Sequence, residues 1–249
     1  MNQPQARAVG RSLRIYHPAA RRPVLDAFYA RFIHPGGLAF DVGAHVGDRA
    51  ASFCRLGARV VVVEPQPALL RALRLVLRGA NVVFVPSLVG AAPGEAVLRL
   101  NRVNPTVATA SADFIAAAAG QPGWEGQAWD GAVTLPLTTL DLLVAEHGMP
   151  DFIKIDVEGF EAAVLAGLSR PPAALSFEFT TIQREVALAA LQRCAALGLR
   201  HFNACLGESM AFALPQPVDA ATMAKWLLAL PAEANSGDVY AAAMASPLE

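Results

Sequence analysis

Three charged side chains interrupt an apolar stretch at Ile153-Lys154-Ile155-Asp156-Val157-Glu158-Gly159. Strand alternation sends every second residue to one face, so Lys154, Asp156 and Glu158 are expected on one side of a strand spanning 151–157. Burying three charges together costs free energy unless they pair or meet a polar ligand. Lysine is scarce here: of 20 basic residues, only Lys154 and Lys225 are lysines. A compact ammonium suits proton transfer, substrate steering or stabilisation of a developing oxyanion. A carboxylate beside it suits taking a proton from a hydroxyl or orienting it. The same pattern also fits a structural ion pair of Lys154 with Asp156 or Glu178. Glu158 and Glu161 would then favour the N-terminus of the next helix, and for Glu161 this structural role is the preferred one. Asp156 and Glu178 end neighbouring predicted strands, where hard cations find oxygen ligands. No third ligand is evident, Lys154 would repel an ion, and no residue is assigned to a metal.

A second constellation is Asp41-Val42-Gly43-Ala44-His45-Val46-Gly47-Asp48, followed by Val63-Glu64-Pro65. A glycine after a strand and another opening a helix let the backbone turn tightly beside a ligand. An acid ending the next strand can accept hydrogen bonds from both hydroxyls of a ribose. A nucleoside across the ends of these two strands is the expectation. A dinucleotide turn would carry glycine at positions 45 and 48, which here are His45 and Asp48. Asp41 and Asp48 are poorly placed beside a pyrophosphate. They suit S-adenosylmethionine, which has an ammonium and a sulfonium and no phosphate.

The elements that must hold these groups follow from periodicity. Apolar residues at helical spacing predict a helix over 23–33. Strands are predicted over 38–42, 58–63 and 81–85, with helices over 46–56 and 67–77 between them. This β-α-β-α-β run predicts a parallel, doubly wound α/β sheet. Strands over 151–157 and 174–179 extend it, each followed by a helix, over 160–168 and 184–197. Thr138, with Asp141 three residues on, predicts a helix cap. Short strands are expected near 201–205, 210–214 and 239–244. Residues 1–22 read as a loose arm, and 23–249 as one domain. The segment 101–133, rich in glycine and proline, reads as an insert or lid with one short helix near Phe114. Trp124 and Trp129 in it either contact the acceptor or anchor the loop.

Composition narrows the classes. The 249 residues are 54% hydrophobic and 16% charged, which supports a large core and excludes global disorder. A formal net charge of −1 gives no footprint for nucleic acid or anionic lipid. No apolar run is long enough to span a bilayer, and the polar, arginine-bearing stretch from Met1 to Ala20 is not expected to act as a secretory signal. The three cysteines, Cys54, Cys194 and Cys205, show no metal spacing and suit a reducing compartment, so a cytoplasmic address is expected.

With the run Asp41 to Gly47, the Val63-Glu64-Pro65 triplet, Thr139-Leu140-Asp141 and the string Ile153 to Gly159 with Glu161, the sequence resembles the FkbM family of methyltransferases. The resemblance extends from about Leu38 to Phe179. It implies a Rossmann-like class I methyltransferase fold, a seven-stranded, mostly parallel sheet with helices on both faces and its last strand antiparallel. It also implies methyl transfer from S-adenosyl-L-methionine, usually to oxygen. Gly43, Ala44, His45 and Gly47, with Asp41 and Asp156, would then hold the methionine part. Glu64, with Pro65 and Gln66 beside it, would hold the ribose, and Ser87 and Leu88 would flank the adenine. Position 45 often carries Asn, and His45 adds a titrating group beside the cofactor. Lys154, Asp156 and Glu158 are the catalytic candidates.

The acceptor is expected to be a small molecule or glycan; the sequence is silent on its identity and on oligomeric state. A non-catalytic nucleoside-binding protein or scaffold that keeps the fold stands as the alternative. A nicotinamide-dependent oxidoreductase is disfavoured by the missing glycines.

Overall fold

The computed structural model describes residues 3–249. Residues Gln3–Tyr16 form helix α1, where a loose arm is the expectation from sequence. Its Val9 is buried with Val46, Leu69 and Ala72 in a small separate core, with Leu13 and Tyr16 packed against it. Helix α2 covers Arg21–Tyr29. Then come β1 (Leu38–Val42), α3 (Asp48–Arg55), β2 (Arg59–Val63), α4 (Pro67–Val76) and β3 (Val82–Val85), the run that periodicity predicts. The chain continues with β4 (Leu88–Val89), β5 (Gly94–Leu100), α5 (Ala112–Ala118), β6 (Gly131–Thr138), α6 (Leu140–His147) and β7 (Phe152–Ile155). It closes with α7 (Glu161–Ala166), β8 (Ala174–Thr180), α8 (Arg184–Ala196), β9 (His201–Leu206), α9 (Ala220–Ala229) and β10 (Ser236–Ala242). Among the described residues no helix is long and apolar enough to cross a membrane.

Seven strands form one sheet in the order β3-β2-β1-β7-β8-β10-β9. All neighbours run parallel except β10, which lies antiparallel between β8 and β9. A sheet of seven strands, mostly parallel, with the last strand of the chain antiparallel, is the arrangement that the resemblance implies. The inner strands are apolar on both faces, as a sheet covered on both sides requires. Phe40, Val61, Val63, Ile153 and Ile155 enter one core. Ala39, Val60, Val62 and Phe152 enter the other. The chain steps outward from β1 to β3 and then returns to β7 on the far side of β1. That reversal opens a crevice at the carboxyl ends of β1 and β7, where sheets of this kind take ligands.

Four expectations are corrected. The strand predicted over 151–157 ends at Ile155, so Asp156 and Glu158 stand beyond it and their placement comes from the turn. The insert is flanked by a second sheet, order β4-β6-β5, whose strands β5 and β6 pattern reading missed. Residues 210–214 form no strand; Asn203 holds this loop by bonds to the backbone of Leu214. The helix cap is Thr139, whose hydroxyl accepts from the Leu142 amide, rather than Thr138.

Candidate active site

The carboxyl ends of β1, β2, β7 and β8 border one cavity of about 290 Å³. Of the residues singled out from sequence, Asp41, Gly43, Ala44, His45, Glu64, Pro65, Gln66, Ser87, Leu88, Lys154, Asp156 and Glu158 all line it. Gly47 does not. It starts α3 at φ 80°, and an added Cβ would meet Leu73 Cδ2 at 2.5 Å. Its glycine serves packing of the turn on α4. Gly43 has a second requirement besides its φ of 82°: an added Cβ would lie 1.7 Å from the Asp156 carbonyl oxygen. The loop leaving β7 passes directly over the turn leaving β1, and only a residue without a side chain lets it.

Around that turn, backbone amides are satisfied before any ligand arrives. Asp41 accepts from the Ala50 amide at 3.0 Å and so fixes the start of α3. Burial pushes the Asp41 carboxyl up to about 7. Glu64, 3% exposed, accepts from the His45 amide at 2.9 Å and the Gln66 amide at 2.8 Å. Burial raises its pKa to about 8 against the pull of these two amides. Each carboxylate oxygen keeps a second acceptor position, so the cavity side of Glu64 can take donors. His45 sits at φ 50°, and its Nε2 lies 3.0 Å from Ser12 Oγ of α1. Burial lowers its pKa to about 4, so the ring is neutral near pH 7 and adds no charge beside the crevice. The Ser87 hydroxyl donates to the carbonyls of Leu88 and Pro136, which leaves it committed to the second sheet.

Across the cavity lie the charges that leave β7. Lys154 is 1% exposed. Its Nζ donates to Asp156 Oδ2 at 3.0 Å and to Asp238 Oδ1 at 2.7 Å. The partner foreseen from sequence was Asp156 or Glu178; Asp238, delivered by β10, was missed, because no local pattern places an antiparallel strand beside β8. Burial disfavours the ammonium, but Asp156 and Asp238 outweigh it and raise the Lys154 pKa well above its ordinary value. Burial likewise opposes ionisation of Asp156, and Lys154 overcomes it and holds that carboxyl low. Glu158 occupies a left-handed turn at φ 54° followed by Gly159 at φ 85°. Its backbone carbonyl accepts from the Thr109 hydroxyl, tying the turn to the insert. The carboxylate is 7% exposed, and burial, Asp156 and Glu161 raise its pKa strongly. Glu161 is a loop brace: its Oε1 accepts from the amides of Val157 and Gly159.

The insert and α1 roof the crevice. Gln66 Nε2 donates to the Pro105 carbonyl, and Arg11 of α1 donates to the Val103 carbonyl. The two tryptophans differ in place. Trp129 anchors the insert, its Nε1 donating to the Val107 carbonyl at 2.7 Å. Trp124 lines the cavity, edge-on to Phe114.

A family model described as the methyltransferase FkbM domain matches residues 41–194. No curated protein matches the sequence significantly. Solved structures with a similar course include precorrin-6y C5,15-methyltransferase from Geobacter metallireducens, 13% identical over 88% of this chain and 87% of that one, TM-score 0.43. A TehB-like SAM-dependent methyltransferase from Corynebacterium glutamicum is 12% identical over 88% and 86%, TM-score 0.45. Aeropyrum pernix fibrillarin, solved with natively bound S-adenosyl-L-methionine, is 13% identical over 84% and 68%, TM-score 0.44.

Proposed function

The chain belongs to the FkbM family of S-adenosylmethionine-dependent methyltransferases, and from that premise we propose that it methylates a hydroxyl of a small-molecule or glycan acceptor held beside Asp156 and Glu158. The cavity chemistry fits the cofactor. Eight acidic side chains and only two basic ones, Lys154 and Arg49, line the wall. Such a wall suits a ligand with an ammonium and a sulfonium and resists a pyrophosphate. Glu64 would accept from the ribose hydroxyls, and the turn from Gly43 to His45, with Asp41 and Asp156, would hold the methionine end. Leu88 and the backbone of Ser87 would flank the adenine.

Bound there, the cofactor supplies a methyl group on a sulfonium, already a strong leaving group. The protein's tasks are then alignment and exclusion of water. The roof of α1 and the insert excludes water. Asp156, held ionised by Lys154, takes the proton of the acceptor hydroxyl as the new carbon–oxygen bond forms, and Glu158 orients that hydroxyl. Lys154 keeps Asp156 ionised and fixes its direction, which makes it a positioning residue.

The observation that carries this reading is the Glu158 carboxylate: buried on the cavity wall, next to Asp156, in a backbone conformation that L residues rarely adopt. Its test is incubation of the protein with methyl-labelled S-adenosylmethionine and metabolite fractions, with mass identification of the labelled product. A labelled ether in wild type that is lost in Glu158→Gln supports it. A product labelled on nitrogen or carbon, or undiminished labelling by the variant, overturns it.

A further inference from the structure

We propose that Asp156, Glu158 and Glu178 together bind one hard divalent cation, with an open coordination position facing the acceptor. This rests on the methyltransferase reading of the same cavity and names what completes it. One oxygen from each of these carboxylates comes within 4.8 Å of the others. They arrive from three places: the end of β7, the left-handed turn after it, and the neighbouring strand β8.

Two observations separate this group from an ordinary acidic patch. Glu158 is 7% exposed, and among the described residues no group donates a hydrogen bond to its carboxylate. Glu178 Oε2 is fully buried and finds no donor among the described residues; its carboxyl faces Asp156. Buried acceptors without donors cost free energy that a ligand would recover. The nearby cations cannot serve. Lys154 is spent on Asp156 Oδ2 and Asp238. Arg49 is spent on Asp48 and Glu208. Asp156, Glu158, Glu178 and Asp238 gather four carboxyl groups around the single Lys154 ammonium, so oxygen donors outnumber the one cation that would repel a dication.

Oxygen-only ligands select a hard ion such as Mg²⁺, Mn²⁺ or Ca²⁺ over a soft one. All three carboxylates line the cavity, so the remaining coordination positions open toward it. A carboxylate that gives one oxygen to the ion keeps its other for the acceptor's proton. The sequence offers two of these ligands, Asp156 and Glu178; the third, Glu158, is brought in by the turn.

The test is calorimetric titration of the EDTA-treated full chain with MnCl₂, with adenosylhomocysteine binding measured on the same samples. One Mn²⁺ per chain is expected, with affinity reduced about tenfold or more in Glu158→Gln and in Glu178→Gln. Retained adenosylhomocysteine binding shows that the variants are folded. No Mn²⁺ binding by wild type, or the same affinity in both variants, overturns the ion site. A chain that binds Mn²⁺ but not adenosylhomocysteine keeps the ion site and sinks the cofactor reading; the reverse result does the opposite.

Discussion

Glu64 and Glu158 share one condition: each is a carboxylate carried into the wall of a cavity, and each waits for something to justify its burial. Their partners differ, and so do the consequences of removing them. Glu64 is braced by two amides and, in the proposed function, accepts from the ribose. Glu64→Ala is expected to weaken adenosylhomocysteine binding by about 1.5–3 kcal/mol, the worth of hydrogen bonds to a charged acceptor; calorimetry giving an unchanged Kd would remove it from the cofactor site. Glu158 has no donor, and its removal falls on the chemistry. Glu158→Gln is expected to lower kcat by about 10²- to 10⁴-fold while adenosylhomocysteine affinity holds. A variant with wild-type kcat and a raised KM would show that Glu158 only binds the acceptor. Both glutamates were visible in the sequence, because a strand-ending acid and a charged string in an apolar run are local signals. Asp238 was not. Its meeting with Lys154 depends on a strand more than eighty residues away, Asp238 and Lys154 being separated by 84 positions.

The elements divide the same way. β1 to β3 with α3 and α4 were legible because each buries one regular apolar pattern. β5 and β6 escaped because their exposed faces mix polar Glu95, Arg99 and Thr134 with apolar Val97 and Ala132, which blurs the alternation, and because the segment between them hides the pairing. Helix α1 escaped because its arginines made it look like a solvated arm. The junction of β1 with the loop after β7 is the tightest contact in the site, and glycine is what permits it. Gly43→Ala is therefore expected to cost about 3 kcal/mol or more, from a left-handed φ plus a clash with backbone. Gly79→Ala is the matched control. It has the same kind of φ, 80°, with nothing within 4 Å of the added Cβ, and should cost only about 1–2 kcal/mol. Urea unfolding of both variants measures the difference; equal losses would mean that the β1–β7 crossing is not the constraint.

For the whole molecule, the buried acids set a pH dependence. Burial raises Asp41 to about 7, Glu64 to about 8 and Glu161 to about 7. Between about pH 6.5 and 8 the folded chain therefore holds protons that the unfolded chain has lost, and stability falls as pH rises. His45 acts the other way only below its ordinary 6.5, since burial keeps it neutral in the fold down to about 4. The melting temperature of the ligand-free protein is expected to drop from pH 6.5 to 8. Saturating adenosylhomocysteine should shrink that drop, because ribose donors favour the ionised Glu64. A melting temperature that stays level or climbs across this interval would contradict raised pKa values for these carboxyls. The position of β10 has a last consequence, for synthesis. Residues 236–242 leave the ribosome after β8 and β9, so the slot between those two strands in the sheet is filled last. Until that slot is filled, Lys154 lacks its shorter salt bridge. A nascent chain halted before it would carry Lys154, Asp156 and Glu158 yet lack Asp238, its lysine short of a counterion.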